Sequence, residues 1–486
     1  MSRSRVAIAA GVVVVALAGA YVGGSWYAGR EAQSRIEQFV EQINLDLAKQ
    51  WLVTERQPVL QIEEYQRGWF SSRIQYSLSQ QDERGGAHRF RFHDDLAHGP
   101  LPWAALREGD WRPAMAYSRL TPDRDDVSRD WFEGISRAWF DGVEGGAAPL
   151  TINTRIAFDG SVHSIWNLSA AQVRGEEAQL AFSAGRMTVD YDPSARTSEV
   201  QGELDNLTLV TPETGERLLL EGLTIQGKRA PSGEDAENMR HRLRIRQVSF
   251  AQSEQPMFGA QDVEVGLDAV RAGALVDGQL VYTFDRFQIE ERDMGRLALE
   301  ASVKRLDAQA FQSLQQSLEQ MAMVDDLADL SDAEQAALRE RLQSVLAAGP
   351  TVAIDALRWS NAEGQSQASL AVDLAAPDAG DAGEDAGALM ARAIRQVRLN
   401  VDVPKVMLIE TARQMNPDDP DREAAMMSMM FDGLSNQLVR EGLIRVEDGA
   451  ARLDLVYGDE QVTLNGQAMP MADFIALVSP LFIPFF

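Results

Sequence analysis

Five histidines, His88, His93, His98, His163 and His241, are the side chains best suited to proton transfer or metal binding in this 486-residue chain. None belongs to an HExxH or HxH pattern, the spacings that bring two imidazoles onto one ion. His88, His93 and His98 recur every five residues, with Asp94 and Asp95 between them. On a strand an odd offset sends neighbours to opposite faces, so their convergence on a metal would need a turn. No GxSxG elbow, GxGxxG turn or Walker loop is present. The absence of cysteine removes thiolate nucleophiles and Cys-based metal sites. Asp and Glu total 73, too many for spacing to single out a catalytic pair. The acidic segments Asp378–Asp385 and Asn416–Glu423 lack the central Gly and terminal Glu of an EF-hand loop. We therefore expect no catalytic residue, no cofactor and no metal.

Two short motifs remain. Tyr65 precedes Gly68-Trp69-Phe70-Ser71-Ser72, and His98-Gly99-Pro100 opens a Pro-rich turn that continues through Leu101 and Pro102. Gly68 suits a bend into a strand, Trp69 and Phe70 would supply packing, and Ser71 and Ser72 would close local hydrogen bonds. The His98 imidazole would pin backbone groups in its turn. A structural role is expected for both motifs, with ligand binding as the alternative.

The elements that position these residues are mainly strands. Period-two alternation marks Ile74-Tyr76-Leu78, Phe90-Phe92, Ile152-Ile156-Phe158 and Met187-Val189-Tyr191. It returns, with a slip, at Leu204-Leu207-Leu209 and at Leu280-Tyr282-Phe284-Phe287-Ile289. Leu243-Ile245, Val263-Val265-Leu267 and Leu297-Leu299-Val303 complete the series. One-sided alternation is the pattern of antiparallel strands with one face buried. Gly160, Gly202, Gly222, Gly273 and Gly278 punctuate it as expected turns.

Helical spacing appears at Gln33–Trp51 (Ile36, Phe39, Val40, Ile43, Leu47, Trp51), at Asp130–Phe140, at Asp307–Met323 and at Asp421–Arg440. Ser331 with Glu334 forms a capping box, and that helix should stop at Gly349-Pro350. Met427, Met430, Phe431, Leu434 and Leu438 share a helical face and are expected in the core, with a ligand surface as the alternative. A helix followed by antiparallel strands occurs twice after position 330, a weak repeat. Residues 374–387, LAAPDAGDAGEDAG, have too few apolar groups to bury and read as an acidic loop.

Upstream, the run Val6–Gly29 is uncharged and follows Arg3 and Arg5. As a helix at about 1.5 Å per residue it is roughly 36 Å long, enough to cross a bilayer. The arginines keep its start cytoplasmic. Trp26 and Tyr27 sit where an interfacial aromatic belt belongs, so a signal anchor is expected; Ala18 and Ala20 offer cleavage as the alternative. The net charge of −27 opposes nucleic acid binding. Apolar residues make up 45% of the chain and charged residues 24%, the composition of a protein with a true core.

The anchor, the YxxGWFSS segment Tyr65–Ser72, the HGPLP segment His98–Pro102 and, more weakly, Asn465-Gly466 give the chain its resemblance to the YdgA-like family of bacterial proteins of unknown function. The resemblance implies an inner-membrane protein with a periplasmic body and carries over no catalytic residue. In outline that family is similar to AsmA-like envelope proteins, an analogy of fold only.

The expected fold is α+β, mainly antiparallel β: a long twisted, curved sheet with several amphipathic helices and one N-terminal transmembrane helix. We expect a signal anchor at 1–30, a membrane-proximal helix at 31–52, a β-rich region at 53–305 and a helix-plus-strand region at 306–486. The expected function is non-enzymatic: an envelope protein anchored through residues 6–29, with its body in the periplasm, that binds lipid or another apolar ligand. The alternative is a scaffold for another envelope protein.

Overall fold

The computed structural model describes residues 58–81, 87–107, 109–124, 135–143, 147–174, 178–233, 235–321, 331–377, 386–458 and 461–482, and part of 30–44. The expected anchor at 6–29, the Leu47–Trp51 end of the first amphipathic helix, Trp131 and most of the acidic loop lie outside these residues. No helix among the described residues is long and apolar enough to cross a membrane. The chain divides into two compact units, 1–230 and 231–486. The boundary expected at 305 falls within a strand of the second unit.

In the first unit every strand pairing is antiparallel. Strands β1 (Val59–Arg67), β2 (Ser71–Gln81), β3 (Ala87–His98), β4 (Ala116–Pro122), β5 (Leu150–Ile156) and β6 (Val162–Leu168) pair in chain order. Helix α1 (Trp103–Arg107) lies between β3 and β4, and α2 (Ile135–Gly142) between β4 and β5. A short hairpin, β7 (Ala171–Arg174) and β8 (Gln179–Phe182), follows β6. Next come β9 (Gly185–Asp192), β10 (Thr197–Thr211) and β11 (Glu216–Pro231); β9 pairs with β6 and β10, and β10 with β11.

The slip in apolar spacing between Leu204 and Leu207 has a physical cause. Through Leu204 the β10 strand pairs with β9; from Leu207 it pairs with β8. At the changeover the Ser183 hydroxyl accepts from the backbone N–H of both Asp205 and Asn206.

The described residues between 30 and 44 that are assigned structure are helical, as the spacing predicts. Ile36 and Val40 are buried against Ile74, Tyr76, Leu96 and Ala116, so this helix covers one face of β1–β4. It runs antiparallel to β1. Gln33 lies beside Arg67 (Arg67 Nη1 to Gln33 Oε1, 3.5 Å), while the Asn44 side chain clamps both backbone polar groups of Leu60 at 2.8 and 2.9 Å.

The second unit opens with long strands: β12 (Ala236–Gln252), β13 (Gln255–Ala272), β14 (Leu275–Ile289) and β15 (Arg292–Asp307). Helices α3 (Ala308–Met321) and α4 (Asp332–Leu346) follow, then β16 (Thr351–Asn361), β17 (Gly364–Leu374), α5 (Ala386–Ala393) and β18 (Ile394–Pro404). The chain continues through α6 (Lys405–Met415), α7 (Pro420–Arg440), β19 (Arg445–Glu447), β20 (Ala450–Gly458), β21 (Gln461–Leu464), β22 (Gln467–Pro470) and α8 (Met471–Phe482). Strands β12 to β18 pair antiparallel in chain order, and β20 pairs with β18. The slip between Phe284 and Phe287 is a register shift against β15. Ser331 and Glu334 close their capping box reciprocally.

Several expectations change. Gly202, Gly222 and Gly278 lie inside strands, not turns; only Gly160 and Gly273 turn the chain. Gly222 keeps a left-handed φ of 64° within β11, a conformation open to glycine without a Cβ penalty. Phe158 falls past the end of β5 and is exposed. Phe311 of α3 is exposed as well. The methionine stripe is core only in part: Phe431 is buried, Met427 and Leu438 are half-buried, with Leu438 against the Leu443, Val462 and Leu464 cluster, while Met430 and Leu434 face solvent, as do Met426 and Met429 beside them. Helix α7 packs mainly on α6, and one neighbouring helix buries only a narrow stripe of its surface.

Candidate functional site

The two motifs meet at one end of the first unit. Gly68 N–H donates to Ser71 C=O at 2.8 Å and closes the β1–β2 turn. A Cβ on Gly68 would lie 2.8 Å from that same oxygen, so the turn excludes any side chain there. His98 N–H donates to Phe70 C=O at 2.9 Å, which ties the second motif to the first. Gly99 has φ 130°, and its N–H donates to Met115 C=O at 3.1 Å. Pro100 C=O accepts from Ala114 N–H.

Below this turn Ser72 Oγ lies 3.2 Å from His98 Nε2. Ser72 on β2 is paired with Leu96, so His98 stands diagonally across on the same face. A hydroxyl beside an imidazole nitrogen is the beginning of a nucleophile–base pair. Here the pair is sealed: Ser72 is 4% and His98 1% exposed, leaving no approach for an acyl group to the hydroxyl. Tyr65 borders it. Its buried hydroxyl faces Ser72 without a hydrogen bond of good geometry, and burial pushes its ionisation upward. Trp69 and Phe70, expected to supply packing, instead point to solvent. The tip of a two-stranded turn has no layer above it.

The same buried face holds Asp94, which the sequence offered only as a neighbour of the histidines and not as a buried carboxyl. Ser118 Oγ donates to Asp94 Oδ1 at 2.7 Å. Burial raises the carboxyl to about 6, opposed by the Ser118 hydroxyl and the Arg119 backbone N–H. A signal existed: Phe90, Phe92 and Leu96 set the buried parity of β3, and Asp94 sits on it. A charge at a core-parity position marks either a paired group or a perturbed one.

His93 faces the other way. Its Nδ1 lies 2.5 Å from Asp123 Oδ1 and its Nε2 2.8 Å from Thr121 Oγ1, and Gln75 Nε2 donates to the same carboxylate at 3.2 Å. The β3 strand therefore sends His93 and His98 to opposite faces, as their odd offset requires. Among the described residues no group of three or more His, Asp or Glu side chains is placed to hold a metal.

Asn465 and Gly466 lie in the second unit. They form the two-residue turn between β21 and β22, with φ 52° and 85°, the pattern that Asn-Gly favours. Asn465 also exchanges hydrogen bonds with the Asp454 backbone and donates to Leu443 C=O at 3.0 Å.

One further feature of the second unit is chemical in a broad sense. Directly paired residues share a face, and the register links Val265, Tyr282, Leu299, Leu357, Ala368 and Val401 across β13–β18. The adjacent row runs Leu267, Leu280, Ala301 and Ile354. At one end α6 covers the sheet through Met407, which receives Ser366 Oγ on its sulfur at 3.0 Å. Between the ends Leu267, Ile354 and Leu357 remain exposed.

The chain is similar to "Protein YdgA" of Escherichia coli (strain K12), with 24% identity over 98% of this chain and 97% of that one. It is also similar to "Uncharacterized protein YihF" of the same organism, with 23% identity over 96% and 97%. No solved structure matches it significantly. The family model described as "Bacterial protein of unknown function (DUF945)" matches residues 6–472. By that match across nearly its whole length, and in keeping with the YdgA-like resemblance of its motifs, the chain belongs to the DUF945 family.

Proposed function

We propose that this chain is a non-enzymatic envelope protein, held in the bacterial inner membrane through residues 6–29 with its body in the periplasm, whose second unit binds lipid or another apolar ligand. The observation that carries the reading is the pair of apolar rows across β13–β18, left open at Leu267, Ile354 and Leu357. Soluble proteins rarely leave a contiguous apolar patch uncovered unless something binds there. Sheet twist would shape such a face into a shallow trough able to follow an acyl chain. The sealing of Ser72 and His98 supports a non-catalytic role for the motif.

Lipid analysis of the full-length protein purified from membranes in mild detergent tests this. Phospholipid should co-purify at a defined stoichiometry and fall on Leu357→Asp with the fold retained by circular dichroism. A lipid-free wild-type preparation would sink the reading.

A second reading, a scaffold for another envelope protein, draws on the exposed Met426, Met429, Met430 and Leu434 of α7. Flexible, polarizable methionine surfaces adapt to varied apolar partners. In-cell crosslinking from position 429 should then trap a defined complex; crosslinks to lipid alone would favour the first reading.

A further inference from the structure

The β1–β6 part of the first unit is asymmetric along its strands. Among the described residues of β1–β6 and their connections, every exposed large apolar side chain lies at one end: Trp69, Phe70, Leu101, Trp103, Trp111 and Phe158. These residues come from the β1–β2 turn, the segment after β3, the loop before β4 and the β5–β6 turn. The register places these three connections, β1–β2, β3–β4 and β5–β6, together, because Arg67 pairs with Ser72, Ala97 with Tyr117, and Ile156 with both Ala116 and Val162. No core accounts for them. Trp111 is 73% exposed and Trp69 64%.

The collar is also built. Gly68 N–H to Ser71 C=O locks the turn beneath Trp69. The Arg107 guanidinium lies over the Trp103 ring, 4.3 Å from its centroid. Arg112 forks onto Asp110 at 2.9 and 2.8 Å, bracing the loop that carries Trp111. In a chain of net charge −27, this end sets Arg67 and Arg73 around a hollow that Trp103 also lines, with Asp95 paired to Arg73 at 3.6 Å, and Arg107 over the Trp103 ring. Tryptophan with arginine is the pairing favoured at a membrane–water boundary, where an amphipathic ring keeps one edge apolar and one wet, and cations meet headgroup phosphates.

The chain's own path identifies the occupant. The helix within 30–44 runs antiparallel to β1 and sets Gln33 beside Arg67, one residue from the turn that carries Trp69. Residue 30 is less than one helical turn from Gln33, about 5 Å. The uncharged run 6–29 ends immediately before it. The apolar segment therefore joins the body at the end that bears the aromatic collar.

We propose that this collar is a bilayer seat: Trp69, Trp103 and Trp111 rest in the headgroup–acyl boundary of the membrane that holds residues 6–29, and the strands of the first unit stand away from it. The proposal rests on the anchored reading of that run and adds the contact surface and orientation of the body.

The lack of cysteine makes the test direct. Full-length single-cysteine variants Trp69→Cys, Trp111→Cys, Ala170→Cys and Val14→Cys would carry a fluorophore in vesicles of phosphatidylethanolamine and phosphatidylglycerol containing shallow nitroxide-labelled lipid. Ala170 is exposed at the opposite end of β6 and serves as the aqueous reference. Labels at 69 and 111 should be quenched several-fold more than the label at 170. Position 14 in the bilayer with 69 and 111 quenched no more than 170 overturns the seat and leaves the anchor standing. Labels at 69 and 111 quenched while 14 stays in water retain the seat and overturn the anchor. No quenching at 14, 69 or 111 overturns both.

Discussion

Ser118 donates its hydroxyl to Asp94 at 2.7 Å on the covered face of the first unit, where Asp94 is 3% exposed. Burial holds that carboxyl at about 6, above its ordinary 3.8. Between about pH 4 and 6 the folded state keeps a proton that the unfolded chain has released, so stability falls as pH rises through this window and levels off above it. The span corresponds to roughly 3 kcal/mol. Asp94→Asn keeps an acceptor for Ser118 and removes the buried charge. It should stabilise the protein by on the order of 1–3 kcal/mol at pH 7.5 and abolish the pH 4–6 slope. Urea denaturation at a series of pH values checks both; an unchanged slope in the variant would assign it to another group.

The Ser72–His98 pair gives a contrast within one motif. Ser72→Ala strips a buried imidazole nitrogen of its partner and should cost about 1–3 kcal/mol. Tyr65→Phe removes a buried hydroxyl that lacks a good hydrogen bond and should be neutral or slightly stabilising. Equal losses in the two variants, read from denaturant midpoints, would show that Tyr65 also depends on its hydroxyl.

Asn465 carries both a left-handed backbone and a set of hydrogen bonds. Asn465→Gly keeps the backbone freedom and loses only the bonds; Asn465→Ala loses both. The Ala variant should be the less stable by about 1 kcal/mol, the added cost of a left-handed conformation for a residue with a Cβ. Thermal melts of the two variants side by side measure that difference.

The methionines should separate by burial. Met429 is 75% exposed and Met407 is 0%. Under limited peroxide, peptide mass spectrometry should find sulfoxide at 429 and 430 well before 407 or 115. A partner or lipid bound along α7 would reverse the order at 429, so the same measurement on membranes reports occupancy.

Much of the fold was legible because alternation is a local property. Ile74, Tyr76 and Phe90 announce their strands, and even the breaks carried meaning: the slip after Leu204 marks a change of partner strand, and the one after Phe284 a register shift. Ser331 with Glu334 was readable because capping involves residues close in the chain; Asn465-Gly466 is just as local, but its turn was read only from the structure, the sequence having offered the pair as a family motif alone. The long strands were harder. Gly202 and Gly278 look like punctuation, but strands of 15 residues tolerate them once neighbours on both sides supply the hydrogen bonds.

The sequence by itself determined the antiparallel β character, the Ser331 cap of α4, the acidity and the apolar run at 6–29, since each depends on composition or short-range spacing; it left α1, α5, α6 and α8 unmarked. Only the tertiary structure decided what lies over each face. It buried Asp94 and His98 beneath the helix that contains Ile36 and Val40, left Trp69 and Trp111 bare at the turns, and turned Met429 outward from α6. Exposure belongs to a residue's long-range neighbours, and no period in the chain encodes which element comes to rest above a strand.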